Sequence, residues 1–270
     1  MVGPRSCLYG AVADDPKAGS SPKRAPASKQ NPPLFSRLAR WARLHLACIS
    51  HIVRSAELAN SSWLKKYTRL EHLKGILQER QLYLGDPKDW EDRNDSEVIR
   101  LSSTTFGGFN LRATCLTEAV DRYHFWHIFG GREHGVCLWF EKYSLLNDVE
   151  NDPSLIADLV QYRNARDLSR LEPKSIPFTK RDQYSDEREF RILRVERARN
   201  VVSEKFAFSA HSLRRIYLNP WLSFAAAKRK KAEISSWLGR DLEHVHVYQN
   251  RSLRQKSWID AAAIAVGARH

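Results

Sequence analysis

The run Glu187-Arg188-Glu189-Phe190-Arg191-Ile192-Leu193-Arg194-Val195 decides how the chain is read. Successive side chains of a strand point to opposite faces, so Glu187, Glu189 and Arg191 fall on one side and Phe190 and Ile192 on the other. Two carboxylates and a guanidinium in a row are either part of a functional site or a solvent-facing ladder of Glu/Arg pairs on an antiparallel sheet. The residues alone leave both readings open.

Short runs with β-branched or aromatic enrichment predict further strands at 64–67, 81–85, 112–116, 136–140, 159–163, 205–208, 215–218 and 245–249. Helical spacing is rarer, at 70–78, 123–129, 153–159 and 221–238. Gly239 follows the last of these, where a left-handed C-cap belongs. Strands outnumber helices without alternating with them, which predicts an α+β fold: a single domain with a mixed or antiparallel sheet and few helices.

Ahead of this domain, residues 1–33 are rich in Pro, Ser, Ala and Lys and are expected to be a disordered basic leader. Residues 34–60 carry Leu34, Leu38, Trp41, His45, Ile49 and Ile52 at helical spacing, as an amphipathic helix would. The folded domain is therefore expected over 61–270. No apolar run is long enough to span a bilayer and no signal-peptide core is present, so the expected location is the cytoplasm.

Charge is unevenly spread along a chain of net charge +13. Residues 1–60 hold nine Lys/Arg against three Asp/Glu, residues 61–212 hold twenty-four against twenty-four, and residues 213–270 hold eleven against four. Basic ends favour an anionic partner, and Lys228-Arg229-Lys230-Lys231 is the expected nucleic-acid contact, unless it is a solvated face. The four cysteines have no paired spacing and read as reduced thiols, with Cys115 and Cys137 as small core fillers.

The sequence contains no glycine-rich dinucleotide fingerprint, no phosphate loop ending in Gly-Lys-Ser/Thr and no zincin His pair. His124 and His127 lie three apart on a predicted helix but lack a third ligand, and His244 and His246 share one side of a predicted strand. No metal is expected.

Several polar clusters, Lys65-Lys66-Tyr67-Thr68, Pro87 through Asp95, Trp126 through Gly135 and Tyr184 through Arg191, sit where a packed core has no use for them. Together with Cys115-Leu116-Thr117, Gly135-Val136-Cys137, Asn219-Pro220-Trp221 and Arg251-Ser252-Leu253 they follow the motif order of a bacterial family. Over residues 63–260 the chain resembles the domain of unknown function 2971 family. It departs at Lys65, where that family has its first Tyr, and at Phe129, where it often has Tyr.

More distantly, the chain is similar to NAD-dependent ADP-ribosyltransferases of the DNA-modifying type. Lys66-Tyr67-Thr68, the helix over 73–77, the strand over 82–85 and a late glutamate lie on that scheme. The resemblance implies an enzyme that uses NAD, with Glu187 and Glu189 as catalytic carboxylates and Lys66, Tyr67, Thr68, Trp126 and Arg191 as cofactor-binding residues. It also implies a toxin or antiphage effector. The alternatives are a nucleic-acid-binding or nucleic-acid-cleaving protein, and a ligand- or protein-binding module without catalysis.

Overall fold

The computed structural model describes residues 61–108, 110–197 and 204–267. The leader over 1–33 and the helix over 34–60 lie outside the described residues. The described chain forms an α+β domain around a seven-stranded sheet in the order β11-β10-β4-β1-β3-β8-β5. The strands are β1 (Trp63–Arg69), β3 (Asn110–Thr117), β4 (Gly135–Glu141), β5 (Leu155–Leu159), β8 (Glu189–Glu196), β10 (Leu213–Leu218) and β11 (His246–Gln249). All neighbours run antiparallel except β10 and β11. Two small ribbons complete the pairing: β2 (Gln81–Tyr83) with β9 (Lys205–Ala207), and β6 (Gln161–Arg163) with β7 (Thr179–Arg181).

Period two explains both sheet faces. Leu64 of β1, Leu138 and Phe140 of β4, Leu116 of β3, Phe190 and Ile192 of β8 and Ile216 of β10 share one buried cluster. It is closed by Leu73 and Leu77 of α1 (Leu70–Glu79), by Leu145 and Val149 of α4 (Lys142–Glu150), and by Ala227 and Ile234 of α6 (Phe224–Trp237). Removing such side chains from water contributes about 1.5–3 kcal/mol apiece. On the opposite face, α2 (Arg93–Ser102) packs Ile99 against Leu111, Leu193 and Val195, while α3 (Tyr123–Ile128) packs Phe125 and Trp126 against Tyr67 and Cys137.

Three expectations need correction. Residues 155–159 form β5, not the end of a helix: Leu155 and Ala157 are buried while Ile156 and Asp158 are less so, and the segment pairs with β8. A short apolar run after Pro153 fits both periods, and the edge offered by β8 decides between them. The strand expected over 159–163 is accordingly split between β5 and β6. Gly239 has φ −74°, so it is no left-handed cap; Leu238 ends α6 in extended backbone.

Beyond the expected helices the chain forms α2 and α4, together with α5 (Ala165–Leu168) and α7 (Lys256–Ala265). Asp92 and Glu141 cap the first two by accepting from Asn94 N and Asp95 N, and from Tyr143 N and Ser144 N. Among the described residues no helix is long and apolar enough to cross a membrane.

Candidate active site

Strands β1 and β3 are central neighbours in the sheet, yet they are in register only at Lys65 and Thr117. Further along, β3 pairs through Ala113 with Gly85, which accepts from Ala113 N at 2.9 Å and donates to Ala113 O at 2.8 Å. Between these two points the sheet opens into a cleft of about 950 Å³. Cys115 O faces the gap and accepts from Lys66 Nζ at 3.1 Å. Burial pushes the Lys66 ammonium below the usual lysine range, and Glu189 opposes this only in part. Lys66 forms no ion pair among the described residues.

The far wall is a cluster of charges brought together from four segments. Asp95 comes from the first turn of α2, Lys180 from β7, Glu187 from the end of a 3₁₀ turn over Asp182–Glu187, and Glu189 and Arg191 from β8. Arg191 is completely buried. Its Nε donates to Glu189 Oε1 at 2.7 Å, and its Nη1 to Asp95 Oδ1 at 3.0 Å and to Pro177 O at 2.8 Å. Nη2 donates to Asp95 Oδ2 at 2.8 Å and Glu189 Oε2 at 3.0 Å. A guanidinium has five N–H donors, and all five are used.

Lys180 Nζ binds Glu187 Oε2 at 2.7 Å and lies 3.4 Å from Glu189 Oε2 and 3.9 Å from Asp95 Oδ2. The ring of Tyr184 stands 4.7 Å from this ammonium, and the ring of Trp90 stands 5.3 Å from the Arg191 guanidinium. Three carboxylates against two cations leave this wall one negative charge in excess.

The two glutamates are driven apart in acidity. Burial would raise Glu189, but the Arg191 guanidinium and then Lys180 overcome it and hold the carboxyl at about 2. Burial dominates at Glu187 and raises it, with Lys180 opposing, and Asp95 is raised in the same way. Between pH of about 2 and 4.5, the ordinary value for Glu189, the unfolded chain binds a proton that the folded chain does not. Stability from Glu189 is therefore present above that window and lost as pH falls through it. Raised Glu187 and Asp95 act with the opposite sign above their ordinary values. Urea unfolding across this pH range is expected to show a shallower acid limb for Glu189→Gln than for the unaltered chain; equal slopes would remove Glu189 from the acid response.

The expected site residues are thus only partly gathered. Glu187, Glu189, Lys66 and Tyr67 line the cleft. Thr68, one residue further along β1, does not line it. Trp126 does not line it either: it is fully buried beneath Tyr67, in edge-to-face contact at 5.1 Å. Asp121 Oδ1 accepts from both, Tyr67 Oη at 2.8 Å and Trp126 Nε1 at 2.9 Å, so Trp126 positions Tyr67.

Arg191 cannot hold a phosphate as expected, since no donor is left. Glu187 is not on the strand, because Arg188 turns the backbone at φ 41° between the two glutamates. The solvent-facing ladder is excluded by the burial of Glu189 and Arg191. Asp95, Lys180 and Trp90 belong to the site without having been assigned a role from sequence. The Asp92-to-Asp95 spacing at a helix start was the available signal for the first of them.

Other expectations fall elsewhere. Lys228 and Arg229 are exposed on α6 and Lys230 pairs with Glu233 at 2.7 Å; none of the four basic residues lines the cleft. His124 pairs with Asp186 at 3.0 Å, while the His127 ring packs between Tyr123 and Trp221, so the two serve different partners. His244 sits in a turn before β11 with Nε2 3.1 Å from Leu213 O, and only His246 is on the strand. Cys137 is a core filler, whereas Cys115 is half-buried and lines the cleft.

No family model matches the chain, and no curated protein matches it. The order of motifs that resembles the domain of unknown function 2971 family therefore has no family match behind it. Among solved structures, the chain is similar to Thermus sp. 2.9 DarT in complex with carba-NAD+, at TM-score 0.38 and 10% identity over 72% of this chain and 97% of that one. It is similar to the same protein in complex with NAD+ at TM-score 0.39, 11% identity, 72% and 97%. For the complex with ADP-ribosylated ssDNA the values are 0.39, 10%, 72% and 96%. Likeness at this level assigns neither family nor activity.

Proposed function

We propose that the cleft is the active site of an ADP-ribosyltransferase-like enzyme that uses NAD as its substrate. The observation that carries this reading is the glutamate pair: two carboxylates in one cleft, one held ionised and the other raised, on a wall with excess negative charge. Cleavage of the C1′–N bond sends the bonding pair out with nicotinamide and leaves positive charge on the ribose. A fixed carboxylate such as Glu189 stabilises that charge without reorganising. The acceptor's oxygen or nitrogen then bonds to C1′, and its proton passes to Glu187, whose raised affinity for a proton suits a base.

Lys66, without a carboxylate partner, would hold the pyrophosphate, and Tyr67 and Tyr184 offer faces for a ring. A 950 Å³ cleft lies within the size range of small-molecule sites. A toxin or antiphage role would follow from consuming NAD or modifying an essential acceptor.

Saturation-transfer NMR with NAD, run beside chromatography of released nicotinamide, tests the reading. Transfer to the NAD protons with nicotinamide release is the expected result. Absence of both, in the presence of oligonucleotide and protein acceptors, sinks it.

A further inference from the structure

The helix α7 carries its apolar face outward. None of its ten residues is buried, and the two least exposed, Asp260 and Ala263, lie three apart and mark its shielded side. Lys256 pairs with Asp260 one turn on, with Nζ 2.7 Å from Oδ2, so the shielded side is the polar one. On the opposite side Trp258, Ile259 and Ala262 recur at helical spacing and continue to Val266 just past the helix end. Trp258 is 72% exposed, Ile259 58% and Val266 79%, and Ile264 at the border of this face is 80% exposed.

A surface helix of a globular domain turns its apolar stripe toward the core, and α7 does the reverse. Ten residues are also fewer than the roughly 12–15 that an isolated helix needs to persist in water. The helix is therefore built to be covered.

Charge selects what covers it. Residues 251–267 hold three Lys/Arg, at Arg251, Arg254 and Lys256, against the single Asp260. Arg251 and Arg254 lie just before the helix, are exposed and form no ion pair among the described residues. The wider segment 213–270 holds eleven Lys/Arg against four Asp/Glu. A second copy would set like charge against like, and a helix about 15 Å long covers well under the roughly 800 Å² that each partner gives to a stable dimer.

We propose that α7 docks on an anionic phospholipid surface, with Trp258, Ile259 and Val266 entering the boundary between headgroups and acyl chains and Arg251 and Arg254 meeting lipid phosphates. At about 15 Å the helix is half the roughly 30 Å of the hydrocarbon layer, so it lies in the plane of the interface and does not cross. The Trp258 indole suits that depth, because its ring is apolar and its N–H is polar. This docking is independent of the chemistry proposed for the cleft.

Co-sedimentation of the full chain with vesicles of phosphatidylcholine alone, and of about three parts phosphatidylcholine to one of phosphatidylserine, tests it. Binding to the anionic vesicles is expected to be about tenfold or more tighter than to the neutral ones, and to weaken as salt rises. Trp258→Glu combined with Ile259→Glu is expected to weaken that binding about tenfold or more. The melting temperature should not move, because neither side chain is in the core. Lipid brominated in its acyl chains is expected to quench the tryptophan fluorescence of the unaltered chain, and Trp258→Phe much less, a difference that purely electrostatic contact through Lys228-Arg229-Lys230-Lys231 does not produce. Absence of binding to anionic vesicles, unchanged binding by the double variant, or equal quenching in Trp258→Phe overturns the proposal. So does slow amide exchange of α7 in the lipid-free chain, which would mean that the chain itself covers the face. A dimer that the double variant splits would overturn it too, assigning the face to a second copy.

Discussion

Glu187→Gln is expected to lower NAD turnover by about 10²–10⁴-fold while the thermal midpoint stays within a few degrees of the unaltered chain. The side chain is nearly isosteric and can still accept from Lys180, which keeps Glu189 and Asp95 as partners. Loss of one ion pair from a cation so supplied costs about 1 kcal/mol or less, a shift of about 2–4 °C in a domain of this size. What disappears is the group that takes the acceptor's proton, and that loss is felt only in the reaction.

Glu189→Gln must behave differently. It breaks a buried contact with Arg191, so turnover and stability fall together. A turnover assay and a melting curve on each variant separate the two. Full turnover in Glu187→Gln would take Glu187 out of the reaction.

The alternation in β8 was legible because the strand is half polar: Glu189 and Arg191 against Phe190 and Ile192 leaves one register that buries the apolar pair. Glu187 was misplaced because nothing in the run announces that Arg188 adopts a left-handed conformation. The burial of Arg191 was illegible for a different reason. Its partners Asp95 and Pro177 lie 96 and 14 residues away, and only the folded topology lays α2 across β8.

The same holds for the cleft. It exists because β1 and β3 part after Lys65 and Thr117, a property of pairing between strands that no local pattern encodes. The helix α2 escaped notice because few apolar residues mark it. Its start is fixed by the Asp92 cap, and its place by Ile99 and the Asp95 contact to Arg191.

Arg191→Met is expected to destabilise the domain by about 3–5 kcal/mol, because it strands two carboxylates that have left water. Asp95 and Glu189 side chains are each 4% exposed, and both rely on the guanidinium for two hydrogen bonds. At about 2–4 °C per kcal/mol, the melting temperature should fall by roughly 10 °C or more. Arg191→Lys is expected to rescue little. An ammonium has three donors and no planar fork, so it cannot reach Asp95, Glu189 and Pro177 O together.

Coupling offers the stricter check. Asp95→Asn removes one of the stranded charges, so adding it to Arg191→Met should cost less than the two changes summed, with a coupling of about 0.5–3 kcal/mol. Additive losses would mean that Arg191 acts through packing against Trp90 alone. Because Arg191 is what holds Glu189 at about 2, its removal should also raise the pH at which the carboxylate ionises. The turnover of folded Arg191→Met, measured well below its melting temperature, should then rise toward alkaline pH relative to the unaltered enzyme, a signature that lost stability alone does not produce.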